Sequence, residues 1–161
     1  MLAYLSLGSN LGDPVLNIDD AIQRLSSVEG IVVLRRSSMY RTEPQGFADQ
    51  PWFVNNVVEI DTSLSPRELL SRLLELEHGF GRERTVKNGP RTLDIDIVSM
   101  GNLVVNEPDL QIPHPRMRER RFVLQPLAEL SREFRHPVTN QSVTELLDTV
   151  LGQDVQSLND L

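Results

Sequence analysis

Residues 93–98 read Leu-Asp-Ile-Asp-Ile-Val, and this alternation constrains the chain more than any other stretch. Successive side chains leave opposite faces of an extended strand, so Leu93, Ile95 and Ile97 enter a core while Asp94 and Asp96 share the other face. Carboxylate oxygens brought to about 4 Å repel by on the order of 4 kcal/mol at an effective dielectric near 20, so a cation between them is favoured. An oxygen-only donor set suits magnesium, which takes one or two carboxylates and completes its octahedron with water and substrate phosphates. The same spacing also describes a water-facing strand whose acids splay apart, and spacing alone leaves both open.

The rest of the chain supplies the other elements of a sheet and its cover. Ala3 to Leu7 reads as a short buried strand, and Pro14 to Leu25 carries apolar residues at helical spacing behind a candidate N-cap, Asp13. Ile31 to Tyr40 and Val54 to Thr62 are rich in β-branched residues, and Glu43 to Pro51 between them is loop. Ser65 caps a second helix, with Pro66 at its first position, Glu68 three residues on, and an apolar stripe of Leu69, Leu70, Leu73, Leu74 and Leu76. The order strand, helix, strand, strand, helix, strand predicts an α+β ferredoxin-like βαββαβ sandwich. Its antiparallel sheet has helices packed on one face plus C-terminal additions. One domain over residues 1–161 is expected, with Gly152 to Leu161 a frayed tail.

Charge decides what such a site would hold. The chain carries a formal net charge of −7 and no cysteine, which excludes thiolate metal sites and disulfide frameworks and makes a reducing compartment natural. Met1 to Leu7 has no basic flank, and nothing approaches the roughly 20 apolar residues of a membrane span, so a soluble cytoplasmic protein is expected, and a monomer. Between Arg82 and Arg121, however, eight basic residues face six acids. All but one of the basic residues in the chain are arginine, whose planar fork suits phosphate. Arg82, Arg84 and Arg91 precede the acid pair, and His114, Arg116, Arg118, Arg120 and Arg121 follow it. Carboxylates for cations beside guanidinium groups for phosphate oxygens point to a small phosphorylated ligand rather than nucleic acid. RNA binding is further disfavoured by the lack of an aromatic RNP-like strand. There is no GxxxxGK[ST] loop and no G-x-G-x-x-G. His78 and His136 read as ordinary surface or core histidines.

Several motifs in order then carry a resemblance: Gly8-Ser9-Asn10-Leu11-Gly12; Tyr40-Arg41-Thr42 with Pro44 and Gly46; Asp49-Gln50-Pro51; Asn55; Gly89 to Ile97; and Pro113-His114-Pro115-Arg116 through Arg120, Phe122, Pro126 and Leu127. From about residue 3 to about 130 the chain resembles the 6-hydroxymethyl-7,8-dihydropterin pyrophosphokinase family. The resemblance implies the ferredoxin-like fold and transfer of pyrophosphate from ATP to the hydroxyl of a reduced hydroxymethyl pterin in folate biosynthesis. It also implies two magnesium ions, with ATP as co-substrate. On that basis Asp94 and Asp96 are expected to hold the metals. Arg82 and Arg91 join them in catalysis, and Arg82, Arg84, Arg91, His114 and Arg120, with Leu74, Glu77 and Ile97, line the nucleotide. Thr42, Pro44, Gln45 and Gly46 read the pterin edge, Asn55 hydrogen-bonds it, and Phe53 and Phe122 sandwich it. The loop from Gly81 to Gly89 is expected to fold over ATP; it carries Lys87-Asn88 where many relatives have Arg-Trp.

The residues by themselves leave Phe53 and Phe122 open to plain core packing. A non-catalytic ferredoxin-like small-molecule sensor is the competing reading of the whole chain, although it has no use for paired acids beside arginines.

Overall fold

In the computed structural model residues 1–44, 49–81 and 92–160 are described. Strand β1 spans Leu2–Ser9, helix α1 Pro14–Leu25, β2 Ile31–Arg36, β3 Tyr40–Thr42, β4 Phe53–Thr62 and helix α2 Pro66–Gly79. Then come β5 Asp94–Met100, a small hairpin of β6 Val105–Glu107 and β7 Leu110–Ile112, helices α3 Arg121–Leu130 and α4 Val143–Asp148, and strand β8 Val155–Ser157.

The helix starts follow from local chemistry. The Asp13 carboxylate accepts from Leu16 N with Pro14 at the first position, and at Ser65 both halves of a capping box with Glu68 are made. These side chains satisfy amide donors that the first turn leaves orphaned. On α2 the buried stripe is Leu69, Leu73, Leu76 and Glu77. Leu74, placed by sequence in that stripe, is instead about half exposed on the outer side.

The main sheet runs β5-β1-β4-β3-β8, with β2 also on β4, and every pairing is antiparallel. The segment expected as one strand from Ile31 to Tyr40 breaks in two. Ser37, buried, is the cause: its hydroxyl accepts from Val57 N, taking a ladder donor for a side chain. Part of the segment expected as a tail is strand. Val155–Ser157 pairs with β3, Thr42 facing Val155 and Tyr40 facing Ser157.

Central strands β1 and β4 are buried on both faces, which demands cover on both. Ala3, Leu5, Leu7, Ile60, Ile95 and Ile97 form an aliphatic core with α1 and α2. Tyr4, Val57 and Val98 point the other way, into a second core with Val123, Leu124 and Leu127 of α3 and Val143 and Leu146 of α4. Sequence reading placed helices on one face, with the C-terminal additions unassigned; those additions cover the second face. Tyr4 anchors it, its ring edge-on to Phe134 at 5.9 Å and its hydroxyl donating to Glu59 Oε2 at 2.7 Å. The Arg35 guanidinium reaches the same carboxylate at 2.9 Å and donates to Leu130 O at the end of α3. Helix α3 is thereby fixed to the sheet at its C-terminal end.

Candidate active site

Register across the sheet assembles the site. Asp94 lies opposite Gly8, Gly8 opposite Asn55 and Asn55 opposite Tyr40; one pair along, Asp96 lies opposite Ser6 and Ser6 opposite Val57. Residues directly opposed in an antiparallel sheet share a face, so both acids, Asn55 and Tyr40 stand on the α3 side. Thr42 and Phe53, opposed to each other, continue that face beyond Asn55. Strand spacing puts Asp94 and Asn55 about 10 Å apart, with the two aspartate Cα atoms about 7 Å apart along β5.

Gly8 explains how the row closes up. A Cβ added there would lie 2.6 Å from Asn55 Nδ2, so only glycine lets the Asn55 amide lie across β1 toward the acids. Asn55 is buried, and the Thr42 hydroxyl donates to its Oδ1 at 2.7 Å, fixing which way the amide faces. Behind it the Tyr40 hydroxyl donates to Glu129 of α3 at 2.6 Å, with Ser38 N on the same carboxylate.

The acid strand is held from both ends. Buried Glu77 accepts Ile95 N through Oε2 at 2.6 Å, so this side chain, expected at the nucleotide, buttresses the backbone between the two aspartates. Asn17 of α1 donates to Leu11 O and Thr92 O, tying the Gly8–Gly12 turn to the start of β5. Asn10, also buried, donates to Gln50 Oε1 and Pro51 O, at the far side of the loop that follows Pro44. Ile97 turns its side chain into the aliphatic core, away from the acids.

Below the acids, a cis peptide at Ile112-Pro113 leads into His114, whose N donates to Val98 O of β5 at 2.9 Å. Its Nδ1 accepts from Arg116 N. Burial, then the Arg120 charge, push the imidazole down to about 4, with Asp94 pulling the other way. His114 is therefore neutral at pH 7 and shares a corner with Asp94 and Arg120. Arg120 also lies over the Phe122 ring, 5.4 Å from guanidinium carbon to centroid. Phe122 is partly buried against the second core and Phe53 is half-buried. Arg116 and Arg118 are exposed, and Arg118 lies toward His136, a buried turn cap accepting from Val138 N and Thr139 N.

The structure thus gathers Thr42, Asn55, Phe53, Asp94, Asp96, His114, Arg120 and Phe122 around one face, with Pro44 at the end of β3. Gln45, Gly46, Arg82, Arg84 and Arg91, and most of the Gly81–Gly89 loop, lie outside the described residues. Leu74 stands exposed on α2. Two contributions escaped sequence reading, the clearance at Gly8 and the buttress from Glu77; a glycine ending an otherwise apolar strand was the available signal for the first. The donor set fits magnesium: two carboxylates on one strand face and no thiolate in the chain. Among the described residues no group of three or more His, Cys, Asp or Glu gathers, and the aspartate pair is the candidate ligand set.

The 7,8-dihydro-6-hydroxymethylpterin-pyrophosphokinase (HPPK) family model matches residues 4–132. The chain is 42% identical to the 2-amino-4-hydroxy-6-hydroxymethyldihydropteridine pyrophosphokinase of Bacillus subtilis, over 86% of this chain and 83% of that protein. It is 39% identical to the Haemophilus influenzae protein of the same name, over 98% of both. It is 43% identical to the folic acid synthesis protein fol1 of Pneumocystis carinii over 95% of this chain, yet spans only 20% of that longer protein. A crystal structure of a Plasmodium falciparum HPPK-DHPS triple mutant superposes with a TM-score of 0.73 at 15% identity, covering 92% of this chain and 43% of that one, a likeness of fold. From family model and relatives together, the chain belongs to the 7,8-dihydro-6-hydroxymethylpterin-pyrophosphokinase family.

Proposed function

We propose that this chain transfers the pyrophosphoryl group of ATP to the hydroxyl of 6-hydroxymethyl-7,8-dihydropterin, a step of folate biosynthesis. The pterin oxygen bonds to the β-phosphorus, the bond from that phosphorus to the α-phosphate bridging oxygen breaks, AMP departs and the hydroxyl proton goes to solvent. The observation that carries the reading is the row Asp94–Gly8–Asn55–Tyr40, which sets a carboxylate pair and an oriented buried amide on one face, two strands apart.

Asp94 and Asp96 would hold magnesium, two ions in this reading, which when bound supplies positive charge to the transferring phosphates. Asn55, with Thr42, Pro44, Gln45 and Gly46, holds the pterin edge, since an amide offers both donor and acceptor to such a ring. Phe53 and Phe122 stack on its faces. Arg120 and neutral His114, with Arg82, Arg84 and Arg91, line the triphosphate, near Leu74, Glu77 and Ile97. Acceleration comes from positioning and fixed charge, as in phosphoryl transfer generally. The sheet order supports a ferredoxin-like core of β1, α1, β2 with β3, β4, α2 and β5, to which α3, α4 and β8 are added. A cytoplasmic monomer completes the proposal, on the cysteine-free composition.

The test is AMP formation from ATP and magnesium with and without the reduced pterin. Pterin-dependent AMP is expected. No magnesium-dependent ATP binding by calorimetry would instead favour the sensor.

A further inference from the structure

Gln153 lies in the segment that sequence alone assigns to a tail, yet it joins the two walls of the site. Its Oε1 accepts from Arg121 N at 2.9 Å, and its Nε2 donates to Glu119 O at 2.6 Å. Those two backbone groups flank Arg120. Arg121 returns the contact, its guanidinium donating to Leu151 O at 3.0 Å and Gln153 O at 2.8 Å. The start of α3, which carries Arg120 and Phe122, is therefore clasped by the chain at 151–153. Within two residues the same chain becomes β8 and pairs with β3, Val155 opposite the Thr42 that orients Asn55. Asp154 O also accepts from Glu43 N, next to Pro44.

Helix α3 is held elsewhere by Arg35 on Leu130 O and by Glu129 on Tyr40 and Ser38. Both attachments lie near its C-terminal end. At its N-terminal end, the end that meets ligand, the Gln153 clasp joins it to the β3 wall.

We infer that Gln153 is a positioning residue for pterin capture: it sets the gap between Phe122 with Arg120 on one side and Thr42 with Asn55 on the other. The inference rests on the pyrophosphokinase reading above. A flat ring stacks only when the two walls stand at a fixed separation, so loosening the clasp weakens pterin binding before it weakens folding.

Gln153→Met keeps side-chain size and removes both hydrogen bonds. The KM for the pterin should rise about tenfold, the scale of two lost hydrogen bonds, with kcat changing less and the melting midpoint within a few degrees of wild type. An unchanged pterin KM, with or without a lowered melting midpoint, overturns the inference. Gln153→Glu keeps the acceptor for Arg121 N and loses the donor to Glu119 O. It reads the same quantity should the first variant fail to fold: a raised KM supports the clasp and an unchanged one overturns it. Gln156→Ala, exposed on β8, should leave the KM alone; an equal rise there would assign the effect to β8 and overturn the role of Gln153. Wild type lacking pterin-dependent AMP formation would sink the pyrophosphokinase reading itself. An active wild type with an indifferent Gln153→Met sinks only the clasp.

Discussion

Asn55 and Asn56 are adjacent, both buried in β4, and face opposite sides of the sheet. Asn55 has the Thr42 hydroxyl on its Oδ1 and donates through Nδ2 to Leu7 O at 3.4 Å, on the face it shares with the acids. Asn56, opposite Leu7 on the α1 and α2 side, is fully buried, and among the described residues neither its Nδ2 nor its Oδ1 finds a hydrogen-bond partner. The same side chain is thus an oriented recognition group on one face and an unsatisfied amide on the other. The two faces divide the labour: the α3 side carries polar groups arranged for ligand and for docking α3, and the α1 and α2 side is aliphatic packing. Substitutions on the site face should change binding or rate with little change in stability, and those on the other face the reverse.

The sharpest attempt to break that division is at the acids. Asp94→Asn and Asp96→Asn remove charge without volume, and pyrophosphoryl transfer should fall on the order of 10²–10³-fold, the cost of deleting one fixed electrostatic contact to the transition state. Thermal melting should stay near wild type, because both side chains are half-buried and stand outside the two hydrophobic cores. Steady-state AMP formation beside a melting curve checks both halves, and full retained activity would remove the metal role.

Gly8→Ala is a subtler probe of the same row. The new Cβ meets the end of the Asn55 side chain rather than backbone, so the amide rotates away and the sheet survives. Pterin affinity should weaken about tenfold, one good hydrogen bond and its orientation, while magnesium-dependent ATP binding is kept. Calorimetry with each ligand separates the two, and equal loss of both would mean that the change deforms β1.

Much of this was legible in the sequence because it is local. The alternation at 93–97, the capping box from Ser65 to Glu68 and the β-branched run of β4 each state their own structure. The acid pair and Asn55 were readable as types, although placing them in one row needed the register. What stayed hidden depends on partners distant in sequence. Ser37 breaks a strand only because Val57 N is within its reach. Val155–Ser157 carries no periodicity and becomes a strand because β3 offers an edge. Leu74 fits a stripe of leucines by count but falls on the outer side of α2. The alternation of Tyr4 with Leu5 needed both faces of β1 covered before it meant anything.

The far end of the site face holds structure rather than ligand, which Glu59 can sharpen. The Arg35 guanidinium, foremost, and the Tyr4 hydroxyl hold its carboxyl below the usual range despite burial. A group whose folded value is depressed contributes stability above its unfolded value near 4.5, and that contribution is lost as pH falls through the folded value. Glu59→Gln should cost about 1 kcal/mol at pH 7, discounted because Arg35 is half exposed. The gap should narrow as pH falls below about 4.5 and close only once the folded carboxyl is itself protonated. Urea titrations at pH 7 and pH 3 measure it; a gap that widens in acid contradicts the assignment. Pterin affinity should be unmoved.

The smallest effect tests the opposite face. A buried amide without partners costs free energy that an apolar side chain of similar size does not, so Asn56→Val should stabilise the fold by about 1 kcal/mol and raise the melting midpoint by a few degrees. β-branched valine also suits the centre of a strand. Because Asn56 points away from the acids and from Asn55, AMP formation should match wild type. Ordered water satisfies buried amides in many proteins, and a water held there would reverse the sign. A Val variant less stable than wild type, with Asn56→Ala worse still, would mean that the α1 and α2 face has a polar requirement of its own. The contrast between the neighbouring asparagines would then lie in what each one binds, not in whether it binds.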